Sequence, residues 1–384
     1  MTRAAPPAGI ERDIAARTDS YFNRTREIAR HFGDARVTYA LFLRRPVISA
    51  PRLMVEWLRE VERARETRFE IELLRAEGTW VGAGEPIAYL SGSFVALADL
   101  ETLFLQKLGP PCVAAHNAYQ MSLALPEVGF LAMEARHCAG AEMQEMMAYA
   151  AAIGSAAAKR EGARGFIGNA NDGTAHWFGA KSGLGTMPHA LIGYAGSTLR
   201  AAEMFRATYP QEKLTVLVDY FGREITDALE ICRHFADLAA RGDLTIRLDT
   251  HGGRFIEGLG PGESYAVLER HAPGAIRRYR SDAELRSLIG TGVSAAAVWR
   301  LREALDEAGF PRVAIVVSSG FTVEKCRVMA DAKAPIDLIG TGSFIPDAWS
   351  ETYATADVIE YDGVPRVKLG REFLLRRHGA AKDF

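Results

Sequence analysis

From about residue 130 onward the chain repeats one pattern: a short apolar run that ends in polar or glycine residues, then a stretch with helical spacing. The runs are Phe130–Arg136, Gly165–Asn169, Leu214–Tyr220, Leu244–Thr250, Val313–Ser319 and Ile336–Thr341. Between them, Ile225, Leu229, Cys232 and Phe235 share one helical face that Gly242 ends, and Val298, Leu301 and Leu305 do the same before Gly309. Strands alternating with helices at this length predict an α/β fold with a parallel sheet, open or closed into a barrel, over residues 126–345. Such folds build their sites at the C-terminal edge of the sheet. The runs place Arg136, Asn169, Asp219, Asp249, Ser318, Ser319, Gly340 and Thr341 on that edge.

Residues 1–125 read as a separate N-terminal α/β domain. A tail and a helix-like stretch fill 1–36, and Val37–Leu43, Phe69–Leu74, Thr79–Val81 and Ile87–Leu90 have strand character, the last two around the Gly82-Ala83-Gly84 turn. Glu101–Leu108 reads as a helix stopped by Gly109-Pro110-Pro111. Residues 251–292, rich in Gly and Arg, interrupt the alternation; they are too long for an ordinary βα connection and leave open a lid, a subunit contact or an insertion.

Composition narrows the function classes. With 384 residues, 48% of them hydrophobic, the chain can bury the cores of two domains. A net charge of −2 gives no bulk pull toward nucleic acid or membrane, and neither is expected as a partner. Of the 46 cationic residues 38 are Arg and 8 Lys, an excess read as coding bias within which a few arginines hold an anionic substrate. Cys112, Cys138, Cys232 and Cys326 are scattered, with no CxxC pair, so neither a zinc knuckle nor a disulfide framework is expected. The opening MTRAAPPAGIERDIAARTDSYF lacks the apolar core of a secretory signal, and no run reaches the length of a membrane span, which together predict a cytoplasmic protein.

Several constellations carry chemistry. Gly183-Leu-Gly-Thr-Met-Pro-His189 sets two glycines, a hydroxyl and an imidazole before an apolar helix start. Its backbone can approach a ligand closely, Thr186 can bond a phosphate or carboxylate oxygen, and His189 can move protons or attack a phosphoryl group. Ile336–Ser343 ends a strand in Gly340-Thr341-Gly342-Ser343, the makings of a backbone phosphate cradle, and Ser318-Ser319-Gly320 one βα unit earlier offers a second half. Arg247 and Asp249 lie two residues apart on one strand face, which suits an oriented anion receptor or, equally, a buried ion pair. Asp219 and Asp249 suit Mg2+ through water, ribose hydroxyls or an arginine. No Walker A loop, early GxGxxG, catalytic triad or HExxH helix is present.

These segments resemble the nicotinate phosphoribosyltransferases, in their shorter archaeal and bacterial form. The resemblance runs in order through Thr18–Thr25, Glu77–Pro86, Glu134-Ala-Arg136, Gly165–Asn171, Gly185-Thr-Met-Pro-His-Ala-Leu-Ile192, Leu217–Tyr220, Arg247–Thr250, Ser318–Gly320, Ile339–Gly342 and Ile359–Pro365. It implies a type II phosphoribosyltransferase: an N-terminal α/β sandwich over 1–125, completed by about 346–384, and an incomplete TIM-like α/β barrel over 126–345. The implied reaction joins nicotinate to phosphoribosyl pyrophosphate, with Mg2+ on the pyrophosphate and ATP hydrolysis coupled in many members. By the same resemblance Tyr21, Arg136, Asn171, Thr186 and Arg247 bind substrate, Tyr21 across a dimer interface. Ser319, Gly320, Gly340, Thr341 and Gly342 hold the 5′-phosphate, and His189 is the phosphorylated histidine; beside it the strand-end Asp219 and Asp249 are expected to be catalytic. A homodimer or higher homo-oligomer is implied, and no resident metal: the last cysteine is Cys326, so the C-terminal zinc cluster of some archaeal relatives is not expected. The chain departs from the pattern at His251-Gly-Gly-Arg254, at Arg136-His137 where a second basic residue is usual, and over 251–292. A quinolinate phosphoribosyltransferase is the near alternative, disfavoured by so few lysines. A catalytically impaired nucleotide-binding homologue is the alternative of a different class.

Overall fold

The structure is a computed structural model that describes residues 9–375; the start of the expected N-terminal tail and the end of the 346–384 return lie outside the described residues. Thirteen strands are described: β1 (Arg36–Leu43), β2 (Val47–Ile48), β3 (Glu70–Leu73), β4 (Trp80–Val81), β5 (Pro86–Ser93), β6 (Gly129–Ala132), β7 (Phe166–Asn169), β8 (Leu214–Leu217), β9 (Leu244–Leu248), β10 (Ala314–Val317), β11 (Leu338–Thr341), β12 (Ala354–Tyr361) and β13 (Val364–Pro365). The chain divides into two compact units, residues 1–116 with 347–384, and residues 117–346.

The first unit is built on an antiparallel sheet of order β13-β12-β1-β5-β3. After Arg36, every residue of β1 is apolar or buried, as a strand covered on both faces requires. Phe42 and Ala40 pack with Tyr89, Ile359 and Leu374, so the C-terminal strand returns to complete the N-terminal core. The helices Ser20–Phe32 and Arg52–Arg65 are tied to this unit through Asp99, whose carboxylate accepts from Arg65 at 2.7 and 2.9 Å and from Arg26 at 2.8 Å.

One expectation fails here. The helix expected to stop at Gly109 runs through both prolines, from Glu101 to Ala124. Its Leu103, Phe104, Leu108, Cys112, Val113, Ala114 and Ala115 are all buried. That packing outweighs the two donors the prolines remove. Gly109 marks close packing rather than a stop: a Cβ there would come within 2.8 Å of Thr352.

The second unit carries six parallel strands in the order β7-β6-β11-β10-β9-β8. Successive strands β8, β9, β10 and β11 lie side by side, and β11 returns to pair with β6 rather than ending the sheet. That is the cyclic order of an α/β barrel with one pairing left open, between β7 and β8. β6, β8, β9 and β10 stop before Arg136, Asp219, Asp249 and Ser318, while β7 and β11 end on Asn169 and Thr341, so these residues stand on the rim. Residues 251–292 are folded, with helices Pro261–His271, Pro273–Ile276 and Asp282–Ile289 burying Val267, Leu268, Ala275 and Leu288. The helix expected from Ile225 to Gly242 is two, Glu224–His234 and Ala236–Arg241, broken at Phe235 and ended by Gly242 at φ 77°. No helix among the described residues is long and apolar enough to cross a membrane.

Candidate active site

A cavity of about 320 Å³ opens at the C-terminal rim of the parallel sheet. Arg136, Asn171, Thr186, His189, Arg247 and Asp249 line it, with Met133, Leu184 and Met187 as its apolar surface.

Arg247 is its most constrained group. It is the penultimate residue of β9 and is buried. Its Nη2 donates to Asp249 Oδ2 at 2.9 Å, Nη1 to Thr186 Oγ1 at 2.8 Å and Nε to Ser318 Oγ at 3.1 Å. Arg247 and Val316 are paired in register, so Asp249 and Ser318, two residues further along each strand, share its face. The guanidinium is therefore oriented before any ligand arrives. The second oxygen of Asp249 has no described partner.

His189 opens the helix His189–Ala195, with Pro188 fixing an extended entry. Its Nε2–H donates to both oxygens of Asp219, at 3.1 and 3.0 Å, which leaves Nδ1 as the open nitrogen. Tyr220 OH fills the space beside Gly193 on the same helix, where a Cβ would come within 2.6 Å of it. Arg254, from the 251–292 stretch, donates to the Asp219 carbonyl at 2.8 Å and pairs with the fully buried Glu224, which also accepts from Thr250. Arg254 thus fixes the turn that aims Asp219; sequence reasoning treated its segment as unmatched.

Arg136 lies in the 3-10 turn Ala135–His137, exposed, with no hydrogen-bond or ion-pair partner among the described residues. Its neighbour His137 is held below the usual imidazole range by burial and by the Arg136 charge, so it adds no second cation. Asn171 lines the cavity, yet its Oδ1 accepts from Gln144 at 3.0 Å and from Thr174 N and Oγ1 at 3.2 and 3.0 Å. That half of the amide holds the turn, and only its NH2 is left for a ligand.

The two glycine turns lie beside the cavity rather than in its lining. A Cβ on Gly340 would come within 2.9 Å of the Met133 sulfur and methyl, and one on Gly342 would fall on the Met133 carbonyl and 2.8 Å from the His137 ring. These glycines let β11 pass close to the end of β6. Among the described residues Thr341 Oγ1 and both Glu134 carboxylate oxygens are buried without a hydrogen-bond partner, and burial pushes the Glu134 carboxyl above the usual range. Ser319 and Gly320 both have positive φ, 81° and 64°, and a Cβ on Gly320 would meet nothing within 4 Å. Lys325 donates to the Ser319 carbonyl at 2.8 Å; sequence reasoning passed over it because it sits inside an amphipathic helix. Tyr21 belongs to the other unit, exposed on the helix Ser20–Phe32 with its OH donating to Asp19 at 3.3 Å, and is not among the lining residues.

Neither a family model nor a curated protein matches the sequence. Solved structures do match. A nicotinate-nucleotide pyrophosphorylase from Pyrococcus furiosus is similar over 96% of this chain and 81% of its own, at 22% identity and a TM-score of 0.69. Human nicotinic acid phosphoribosyltransferase is similar over 92% of this chain and 76% of its own, at 16% identity and a TM-score of 0.59. A nicotinate-nucleotide pyrophosphorylase from Ehrlichia chaffeensis is similar over 93% of this chain and 100% of its own, at 12% identity and a TM-score of 0.54. These likenesses establish the fold. They agree with the N-terminal α/β sandwich and incomplete barrel that the resemblance implies, and at such identities they leave the chemistry to the residues themselves.

Proposed function

We propose that the protein transfers the phosphoribosyl group of phosphoribosyl pyrophosphate to nicotinate, forming nicotinate mononucleotide and pyrophosphate in the synthesis of NAD. The observation that carries this reading is Arg247, held by Asp249, Thr186 and Ser318 on one wall of a rim cavity that also presents His189 and an unpaired Arg136. Arg247 spends one unit of its charge on Asp249, so Arg136 is the arginine free to neutralise a substrate carboxylate. One free arginine suits a pyridine monocarboxylate better than a dicarboxylate such as quinolinate.

The roles follow from position. Arg136 binds the nicotinate carboxylate and turns the ring nitrogen toward the sugar. Ser319, Gly320 and the Gly340–Gly342 turn receive the 5′-phosphate. The C1–N bond forms as the C1–oxygen bond to pyrophosphate breaks, through an oxocarbenium-like state that orientation and fixed charge favour more than a nucleophile would. Among the described residues no three His, Cys, Asp or Glu side chains gather to hold a metal. Asp249, through its open oxygen, would hold a Mg2+ ion carried by the pyrophosphate, and the ion would supply charge neutralisation on the leaving group. The open Nδ1 of His189, with Asp219 steadying the ring from the other side, suits attack on the γ-phosphorus of ATP with release of ADP. The site requires no nucleic acid or membrane, and a homodimer in which Tyr21 completes a partner's site belongs to the same proposal.

The test offers nicotinate, nicotinamide and quinolinate separately to the purified chain with phosphoribosyl pyrophosphate and Mg2+, with and without ATP. Nicotinate mononucleotide from nicotinate alone is the expected result. Product from quinolinate with release of CO2 selects the decarboxylating reaction instead, and no mononucleotide from any base leaves a binding protein without this activity.

A further inference from the structure

Lys325 follows Ser319 and Gly320 in the first turn of the helix Val323–Asp331. Its ammonium donates to the Ser319 carbonyl at 2.8 Å and lies 4.3 Å from the centre of the buried Phe321 ring. It forms no ion pair among the described residues. Ammonium has three donors, and the described contacts use one. The side chain is half-buried in the first turn of a helix, the end where the backbone dipole already disfavours a cation. Neither burial nor the helix dipole explains a lysine there. What it touches does: Ser319 is one of the few non-glycine residues with positive φ, and it stands at the rim end of β10 beside the open space at Gly320.

We propose that Lys325 is a positioning residue for the phosphate end of the site, holding the Ser319 carbonyl, and with it the left-handed Ser319–Gly320 turn, in the conformation that receives a sugar phosphate. The inference rests on the phosphoribosyl reading of this cavity. Charge supports it. Burial pulls the Lys325 ammonium down to about 8, against Cys326 on its own helix and Asp249 from the end of β9, both of which favour the charged form. A phosphate dianion at the turn favours the charged form further, so binding and protonation of Lys325 are linked. The grip on phosphate is then present below this value and is lost as pH rises through it, a range in which the phosphate itself, with its second ionisation near ~6, no longer changes charge.

Ribose 5-phosphate, titrated calorimetrically into the full chain, is the direct probe. Wild type should bind at about pH 7 and lose about tenfold by about pH 9, as the protonated fraction of Lys325 falls. Lys325→Met should bind about tenfold more weakly at about pH 7 and show no such loss. Lys325→Arg, which stays charged, should restore binding and abolish the pH dependence. In the unsubstituted chain, the 13Cε resonance of Lys325 should titrate at higher pH when ribose 5-phosphate is bound, a readout that needs no variant to fold. Lys325→Met with wild-type affinity and wild-type pH dependence overturns the role of Lys325 while leaving the phosphoribosyl reading intact. No binding of ribose 5-phosphate by wild type at any pH overturns that reading, and this inference falls with it.

Discussion

Replacing Arg247 by methionine tests whether its ion pair with Asp249 is held for orientation or for stability. The two side chains are 9% and 15% exposed, and Arg247 Nη2 lies 2.9 Å from Asp249 Oδ2. Removing the arginine strands a buried carboxylate, a change that costs about 3–5 kcal/mol. Removing both charges in Arg247→Met/Asp249→Leu takes the stranded charge away and leaves mainly the buried Ser318 hydroxyl without its partner, at about 1–2 kcal/mol. For a unit of this size, each kcal/mol moves the melting temperature by about 2–4 °C. Scanning calorimetry near neutral pH should therefore place the single variant about 10 °C below wild type and the double variant about 4 °C below it. Both should lack transferase activity, since neither presents the guanidinium. A double variant no more stable than the single one would refute the argument, because the pair would then stabilise the fold rather than pre-orient a receptor.

Three further outcomes follow from the same geometry. Gly342→Ala drives a methyl into the Met133 backbone and should unfold or misassemble the rim, whereas Gly340→Ala meets only the flexible tip of Met133 and should cost under about 2 kcal/mol, read by urea unfolding of the two variants side by side. Arg136→Ala should raise the KM for nicotinate about tenfold or more with an unchanged melting temperature, since Arg136 is exposed and unpaired; an unchanged KM removes it from carboxylate recognition. Glu134 binds a proton more tightly folded than unfolded, so it weakens the fold as pH rises above the ordinary carboxylate range; Glu134→Gln should stabilise the chain at neutral pH, with the gain vanishing in acid, and a pH-independent difference would show that its carboxyl is not desolvated.

The rim was legible because it is written locally. Each strand of a buried parallel sheet is a run of apolar residues, so the first polar residue after it marks where the chain leaves the sheet, and Asp219, Asp249 and Ser318 all declare themselves this way. The pairing of Arg247 with Asp249 was legible for the same reason, through the two-residue period of a strand. What escaped reading depends on distant partners. Gly109-Pro110-Pro111 spells a stop unless the helix around it is almost wholly buried. Lys325 is indistinguishable in sequence from any lysine of a surface helix until the turn before it is known to be left-handed at Ser319. Arg254 acquires its purpose only when the chain brings Glu224 and the Asp219 carbonyl to it. Asn171 shows the reverse case: a polar residue at the rim whose carbonyl oxygen is already occupied by Gln144 and Thr174.

The unpaired seam between β7 and β8 gives the cavity mechanical freedom that a closed ring would deny it. Everywhere else on the wall, adjacent strands are held by main-chain ladders. Across the seam, the rim stretch 184–195 of the connection leaving β7 is fastened to the far side, among the described residues, by the side-chain latches Thr186 to Arg247 and His189 to Asp219, while Thr198 further along holds the connection to Asp227. Hydrogen bonds to charged groups contribute about 1.5–3 kcal/mol each. Releasing both is therefore cheaper than unfolding the unit, and the wall carrying the histidine can swing outward while the sheet beneath it stays intact. Native-state hydrogen exchange should register this as amides of residues 184–195 opening well below the global limit that protects β9 and β10.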